Sequence, residues 1–350
     1  MTDTLSISIH DTRLTLESDN ADFSRYARNV LASMLVPPVE EPDIRVRLYW
    51  DQTLVSATTP ADRYERLGRR LLLDGERIIQ TEVLLVPGLQ VAKSIAGTKF
   101  IVDGSFQPRS WRMKMGLVLG GRDAQKRIFA ALTYYLVYFP LLEYLERTHE
   151  WSPLHASGIA WPQGAAILAG LGGVGKSTIT MAFLADADAR LLSENVILHD
   201  AERIYAFPEQ IHLDTRSREM LVDVGERLQP TGESFSHSRD TFEVDPTACV
   251  KSASPTLFCC LRRGQELALT PVTREKALEF ALSSNVLAKE LNEYAQQAAV
   301  SSLLSSEFGG RQRQIQMLER LLSHTDCYDL VIGAGASLYQ AVEMVRERVG

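Results

Sequence analysis

The 350-residue chain is poor in several things that define whole classes of protein. It has four cysteines, Cys249, Cys259, Cys260 and Cys327, none in CxxC spacing, so neither a zinc site nor a disulfide framework is expected. It lacks an excess of positive charge: 37 basic residues against 44 acidic ones leave a net charge of −7, and no global field draws it to a phosphate backbone. Nucleic acid is therefore not an expected partner. Lysine is scarce, 8 residues against 29 arginines, which makes a lysine inside a chemical motif more informative. Long apolar runs are missing too. The richest window, 130–145, contains Pro140 and Glu143 and falls short of the roughly 18 residues of a spanning helix, so it reads as a buried or interfacial helix and no membrane span is expected. The opening MTDTLSISIHDTRL has neither the basic start nor the apolar core of a secretory leader, and a cytoplasmic location follows as the expectation.

What is present divides into two grammars. Residues 1–148 alternate strand-like runs (5–18 with a turn at His10-Asp11, 44–50, 69–73, 77–85, 98–102) with a helix over 21–35 capped by Asp19 or Asn20 and a long helix over 123–146. This is an α+β domain with a sheet expected to be antiparallel, and with no chemical motif of its own it is expected to be an accessory domain. The charged stretch Glu146 to Glu150 and Pro153 mark a boundary. Over 152–350 the pattern becomes strand, glycine-rich loop, helix, strand, the grammar of a parallel α/β domain; 232–245 reads as a polar loop, and helices near 274–283, 286–304, 311–322 and 337–349 surround one more strand at 327–332.

The chemistry concentrates in Gly170-Leu171-Gly172-Gly173-Val174-Gly175-Lys176-Ser177, which fits G-x-x-x-x-G-K-[ST] between an apolar strand and a helix continuing through Thr178. Small residues let such a backbone wrap a polyphosphate, the lysine places a charge between the terminal phosphates, and the serine hydroxyl can hold a divalent metal. The next strand ends in Leu192-Ser193-Glu194-Asn195, a carboxylate and an amide at the end of a strand where open α/β sheets bind ligands. Asp186, Asp188 and Asp200 are the rival carboxylates.

HASGIAW, then GAAILAGLGGVGKST, then LLSEN resemble the C-terminal domain of HPr kinase/phosphorylases and related kinases of the phosphoenolpyruvate-carboxykinase-like P-loop class, clearly over 154–213. The resemblance implies a P-loop α/β nucleotide-binding domain that uses ATP and Mg2+ to phosphorylate a hydroxyl acceptor, either a small molecule or a Ser or Thr of a peptide or protein. It implies a phosphate site of residues 170–178, His155 and Lys176 near the transferring phosphoryl, Glu194 as general base, and Ser177 with Asn195 at the metal. Glu194 and Asn195 stand where that family has two aspartates. A nucleotide-binding regulatory or scaffold protein with weakened transfer is accordingly the alternative, and the family's HPr-engaging motif is not evident downstream. A homo-oligomer is compatible with the sequence. The pairs Arg69-Arg70 and Arg262-Arg263, and Arg311 with Arg313, read as solvated faces.

Overall fold

The computed structural model describes residues 2–55, 64–108, 121–236, 238–304, 310–333 and 335–349. It is a mixed α/β chain with several sheets, dividing into a first unit, Met1–His149 with Tyr294–Phe308, and a second, Glu150–Glu293 with Gly309–Gly350.

The first unit opens with the hairpin β1 (Asp3–Ile9) and β2 (Thr12–Ser18). Its two turn residues, His10 and Asp11, both have positive φ, the twist that suits right-handed strands. The helix α1 (Ala21–Val30) is capped by Asn20, whose side chain accepts from the Phe23 N–H at 2.9 Å, leaving Asp19 to accept from the Trp50 N–H. Then follow β3 (Ile44–Trp50), β4 (Glu65–Arg66), β5 (Leu71–Asp74), β6 (Arg77–Gln80), β7 (Leu89–Ala96) and β8 (Lys99–Phe106), in an 8-stranded sheet ordered β1-β2-β3-β8-β7-β6-β5-β4. The expected all-antiparallel arrangement is corrected at two joints. β2 and β8 both run parallel to β3; for β2 the reason is that α1 carries the chain back to the start of the sheet before β3. The strand 89–96, unnoticed in the sequence, is the antiparallel partner of β8.

The long helix is α2 (Gly121–Thr133), a π-helical turn at Tyr134–Tyr138, and α3 (Phe139–Thr148). Pro140 has no N–H to give to the preceding turn, and the wide turn absorbs that loss. By length and composition Asp123–Thr148, 26 residues, would suffice to cross a membrane, but 78% of its most apolar window is buried. A cavity of about 570 Å3 in this unit, lined in part by Leu73, Phe100, Arg147 and Leu303, contains none of the predicted site residues.

The second unit contains β9 (Ser152–Leu154), β10 (Ala156–Trp161), β11 (Gly164–Gly170), α4 (Lys176–Ala182), β12 (Arg190–Ser193), β13 (Ile197–His199), β14 (Ile204–Ala206), β15 (Ile211–Asp214) and α5 (Thr215–Glu219). There follow β16 (Leu228–Ser236), β17 (Arg239–Val244), β18 (Ser252–Ala253), β19 (Pro255–Gly264), β20 (Ala268–Pro271), α6 (Arg274–Leu287), α7 (Lys289–Ser301), α8 (Gly310–Ser323), β21 (Asp326–Gly333) and α9 (Leu338–Val349). The 6-stranded sheet β12-β10-β11-β19-β21-β20 is parallel at its centre, where β11, β19 and β21 adjoin. Both faces are covered. Ala166, Leu168, Cys259 and Leu330 join a core with Ile179, Leu338 and Val342 from α4 and α9; Ile167, Phe258 and Cys260 join a second core with Ala277, Ala281 and Leu321 from α6 and α8. Burial on both sides is why the strands read as unbroken apolar runs, AAILA and LFCCL.

Two expectations change here. The polar stretch 232–245 is mostly strand, since β16 and β17 pair and β17 also pairs β15; His237 lies outside the described residues. The segment 294–308, expected in the second domain, belongs to the first unit, where Ser301 reaches Glu143 at 3.0 Å and Gln297 reaches Gln80 at 3.1 Å. α7 thus starts in one unit and ends in the other.

Candidate active site

The sheet order decides which groups share an end. β10 is antiparallel to both β11 and β12, so β11 and β12 point the same way and the loop after Gly170 opens at the same edge as Glu194. The loop is shaped by its glycines: Gly173 has φ +80° and Gly175 φ +95°, left-handed conformations that side chains resist. Gly170 is fixed for a different reason, as a Cβ there would lie 2.9 Å from the Val174 side chain, which is packed against the core. Leu171, Gly172 and Gly173 are exposed, Ser177 and Thr178 half-buried, and the Thr178 hydroxyl shares a hydrogen bond of 2.8 Å with Ser217.

Lys176, at the first turn of α4, is 6% exposed. Its Nζ donates to the Glu194 carbonyl at 3.1 Å and the Asn195 carbonyl at 3.5 Å, tying the phosphate loop to the end of β12. The Ser157 hydroxyl donates to the same Glu194 carbonyl. Burial lowers the ammonium's pKa, and Glu194, Glu209 and Glu290 oppose that shift. His155, between β9 and β10 where the chain passes from one sheet to another, is held by its N–H, which donates to Asn285 Oδ1 at 2.8 Å. Burial, then the charge of Lys176, depresses its imidazole pKa to about 3, so the ring is neutral at physiological pH, and among the described residues its buried Nδ1 has no hydrogen-bond partner.

The structure therefore brings Lys176, Glu194, Asn195 and His155 together with the loop. It also removes the rivals. Asp186 accepts from the Trp161 indole at 2.9 Å and pairs with Arg346 at 3.1 Å; Asp188 is exposed in the turn that precedes β12, at the opposite end of that strand from Glu194; Asp200 is occupied by the Tyr205 hydroxyl and two turn N–H groups. Arg227 pins the turn around Asp186 through the carbonyls of Leu184, Asp186 and Ala189.

Sequence reading missed Glu209 and Glu290. The Asn195 amide donates to Glu209 Oε2 at 3.2 Å, so a carboxylate stands beside the residue that lacks one. The available signal was Pro208, which interrupts the apparent strand 204–213: the structure splits that run into β14 and β15, in different sheets, and presents Glu209 between them. Among the described residues no cluster of three His, Cys, Asp or Glu side chains is arranged around a metal position.

No protein-family model matches the sequence, and no curated protein matches it. Among solved structures the chain is similar to the HPr(Ser) kinase/phosphatase from Coxiella burnetii, with 10% identity over 56% of this chain and 95% of that one and a TM-score of 0.27. A superposition that loose fixes neither fold nor activity.

Proposed function

We propose that this chain is an ATP-dependent phosphotransferase whose second unit has the P-loop kinase fold of the HPr kinase class and moves the γ-phosphoryl group to a hydroxyl acceptor, a small molecule or a Ser or Thr side chain. The observation that supports it is the tie from Lys176 to the Glu194 and Asn195 carbonyls, which holds a phosphate loop and an acid-bearing strand end together. Phosphoryl transfer asks for little more than that, since most of the catalysis is positioning and charge stabilisation. Lys176 and the loop N–H groups hold the phosphates, and Glu194 accepts the acceptor's proton. His155, held neutral, lies beside Lys176 near the phosphoryl being moved. The oxygens of Ser177, Asn195 and Glu209 suit Mg2+, which takes one or two carboxylates and completes its shell from phosphates and water. Bound Mg2+ would neutralise charge on the β- and γ-phosphate oxygens. The first unit serves acceptor recognition.

A second reading has its own observation: the Asn195 nitrogen is committed to Glu209, and no aspartate stands at 195. On that reading the chain binds nucleotide as a regulatory or scaffold protein.

Incubating the full chain with Mg-ATP and a metabolite and peptide pool, followed by mass spectrometry for the gain of one phosphoryl group, separates the two. With an acceptor known, Glu194→Gln should retain ATP affinity and lose single-turnover transfer by roughly 10² to 10⁴-fold. A Glu194→Gln enzyme as fast as the parent removes Glu194 from the reaction; nucleotide binding without turnover for any acceptor favours the scaffold.

A further inference from the structure

Arg262 and Arg263 look alike in the sequence and are used differently in the fold. They are consecutive on β19 and so point to opposite faces. Arg262 is engaged, with Nε 3.3 Å from Asp329 and its guanidinium 5.0 Å above the Phe280 ring. Lys276 pairs with the same aspartate at 3.0 Å, so that face of the strand is a closed structural network. Arg263 is exposed, and among the described residues it has no hydrogen bond or ion pair.

Its position is not that of an ordinary surface arginine. β19 lies parallel to β11, with Gly170, the last residue before the phosphate loop, in register with Leu261. β19 then continues past that level, still paired with β21 through Gly264. Arg263 therefore stands at the carboxyl end of the strand beside the loop, on the edge where ligands bind in sheets of this kind. There its Nη2 comes within 3.3 Å of where a Cβ on Gly175 would sit. A cationic fork is laid against the turn that carries Lys176, with no carboxylate among the described residues paired to it. Fixing a second positive group at a lysine-bearing loop opposes the first unless an anion shares both.

We propose that Arg263 is a phosphate-binding residue of this loop, supplying a planar, two-pronged donor to the phosphate chain that Lys176 contacts as a point charge. The assignment rests on the phosphate-loop reading above. Its chemistry selects a polyphosphate, which a guanidinium can grip through two oxygens at once.

The test is calorimetric titration of ATP, with and without Mg2+, into the full chain and four variants, each checked for a cooperative thermal melt no lower than the parent's. Arg263→Ala should weaken ATP binding by about 10- to 100-fold, the size of a lost charge-assisted contact. Arg263→Lys should fall between that variant and the parent, keeping charge without the fork. Arg262→Ala should stay within about twofold of the parent. Lys176→Ala should lose most of the affinity. If Arg263→Ala stays within twofold while Lys176→Ala loses binding, the role of Arg263 is overturned and the phosphate-loop reading stands. Equal losses in Arg262→Ala and Arg263→Ala would overturn it as well, showing only a general effect of surface charge. A parent that binds no ATP, or a Lys176→Ala variant that binds like the parent, removes the phosphate loop and the role of Arg263 together.

Discussion

Lys93 in the first unit and Lys176 in the second are equally buried, each 6% exposed, yet their surroundings differ in kind. Lys93 meets a carboxylate, Glu143, at 2.9 Å, and the Ser301 hydroxyl at 3.1 Å; Glu143 in turn lies 3.3 Å from Arg147. Among the described residues Lys176 donates only to main-chain carbonyls, and the carboxylates that influence it, Glu194, Glu209 and Glu290, are not within ion-pair distance. A closed ion pair is a way of making buried charge tolerable. An ammonium left on carbonyls, next to an imidazole with a bare nitrogen, keeps its charge available to something that arrives later.

The largest effect should come from breaking the closed network. Lys93→Met leaves Glu143 buried without its closest cation and should lower stability by about 3 to 5 kcal/mol in urea unfolding, with ATP affinity unchanged. A loss below about 1 kcal/mol would mean that Arg147 is an adequate substitute for Lys93, and the contrast between the two lysines would shrink.

Acid should act on the second unit. His155, with its pKa near 3, and His199, fully buried with its pKa near 4, are held neutral in the fold, chiefly by desolvation. Their folded pKa values lie below the unfolded value of about 6.5, so the unfolded chain takes up protons first. Stability is therefore full above about pH 6.5, falls as pH drops towards the folded values, and stops falling below them. At pH 5 each histidine should remove about 2 kcal/mol relative to pH 7. Hydrogen exchange by mass spectrometry at both pH values should place the loss in 150–293; an equal loss throughout the chain would contradict this.

Lys176→Ala should invert the pattern of Lys93. Removing an ammonium that is desolvated and unpaired should leave the melting temperature unchanged or higher, while ATP affinity falls by about 1.5 to 3 kcal/mol. A large drop in stability would assign Lys176 to the structural side of the comparison.

The smallest expected change isolates the loop backbone. Gly173 has φ +80°, and a Cβ added there would meet no atom within 4 Å, so Gly173→Ala should cost about 1 kcal/mol from conformation alone. A neutral result would show that the loop readily abandons its left-handed turn.

Local signals in the sequence are sharp where neighbouring residues settle the outcome. His10-Asp11 between alternating runs specifies a tight hairpin, Asn20 a helix start, and the glycines with Lys176 and Ser177 a turn that only one kind of backbone can make. Strand direction in the first sheet was not legible, because alternation in β2, β3 and β8 is the same whether they pair parallel or antiparallel; the crossover through α1 decided it for β2 and β3. Likewise 286–304 reads as any amphipathic helix, and only the partners of its second half, Glu143 and Gln80, assign that half to the first unit. At the site the sequence determined the loop and the strand end bearing Glu194 and Asn195, each a contiguous motif. Glu209, Asn285, and the divergence of Arg262 from Arg263 depend on residues that are distant along the chain and adjacent only once the sheets have formed. Contiguous chemistry can be read from covalent order, whereas which carboxylate faces an amide, and which of two arginines is left without a counter-charge, are properties of packing.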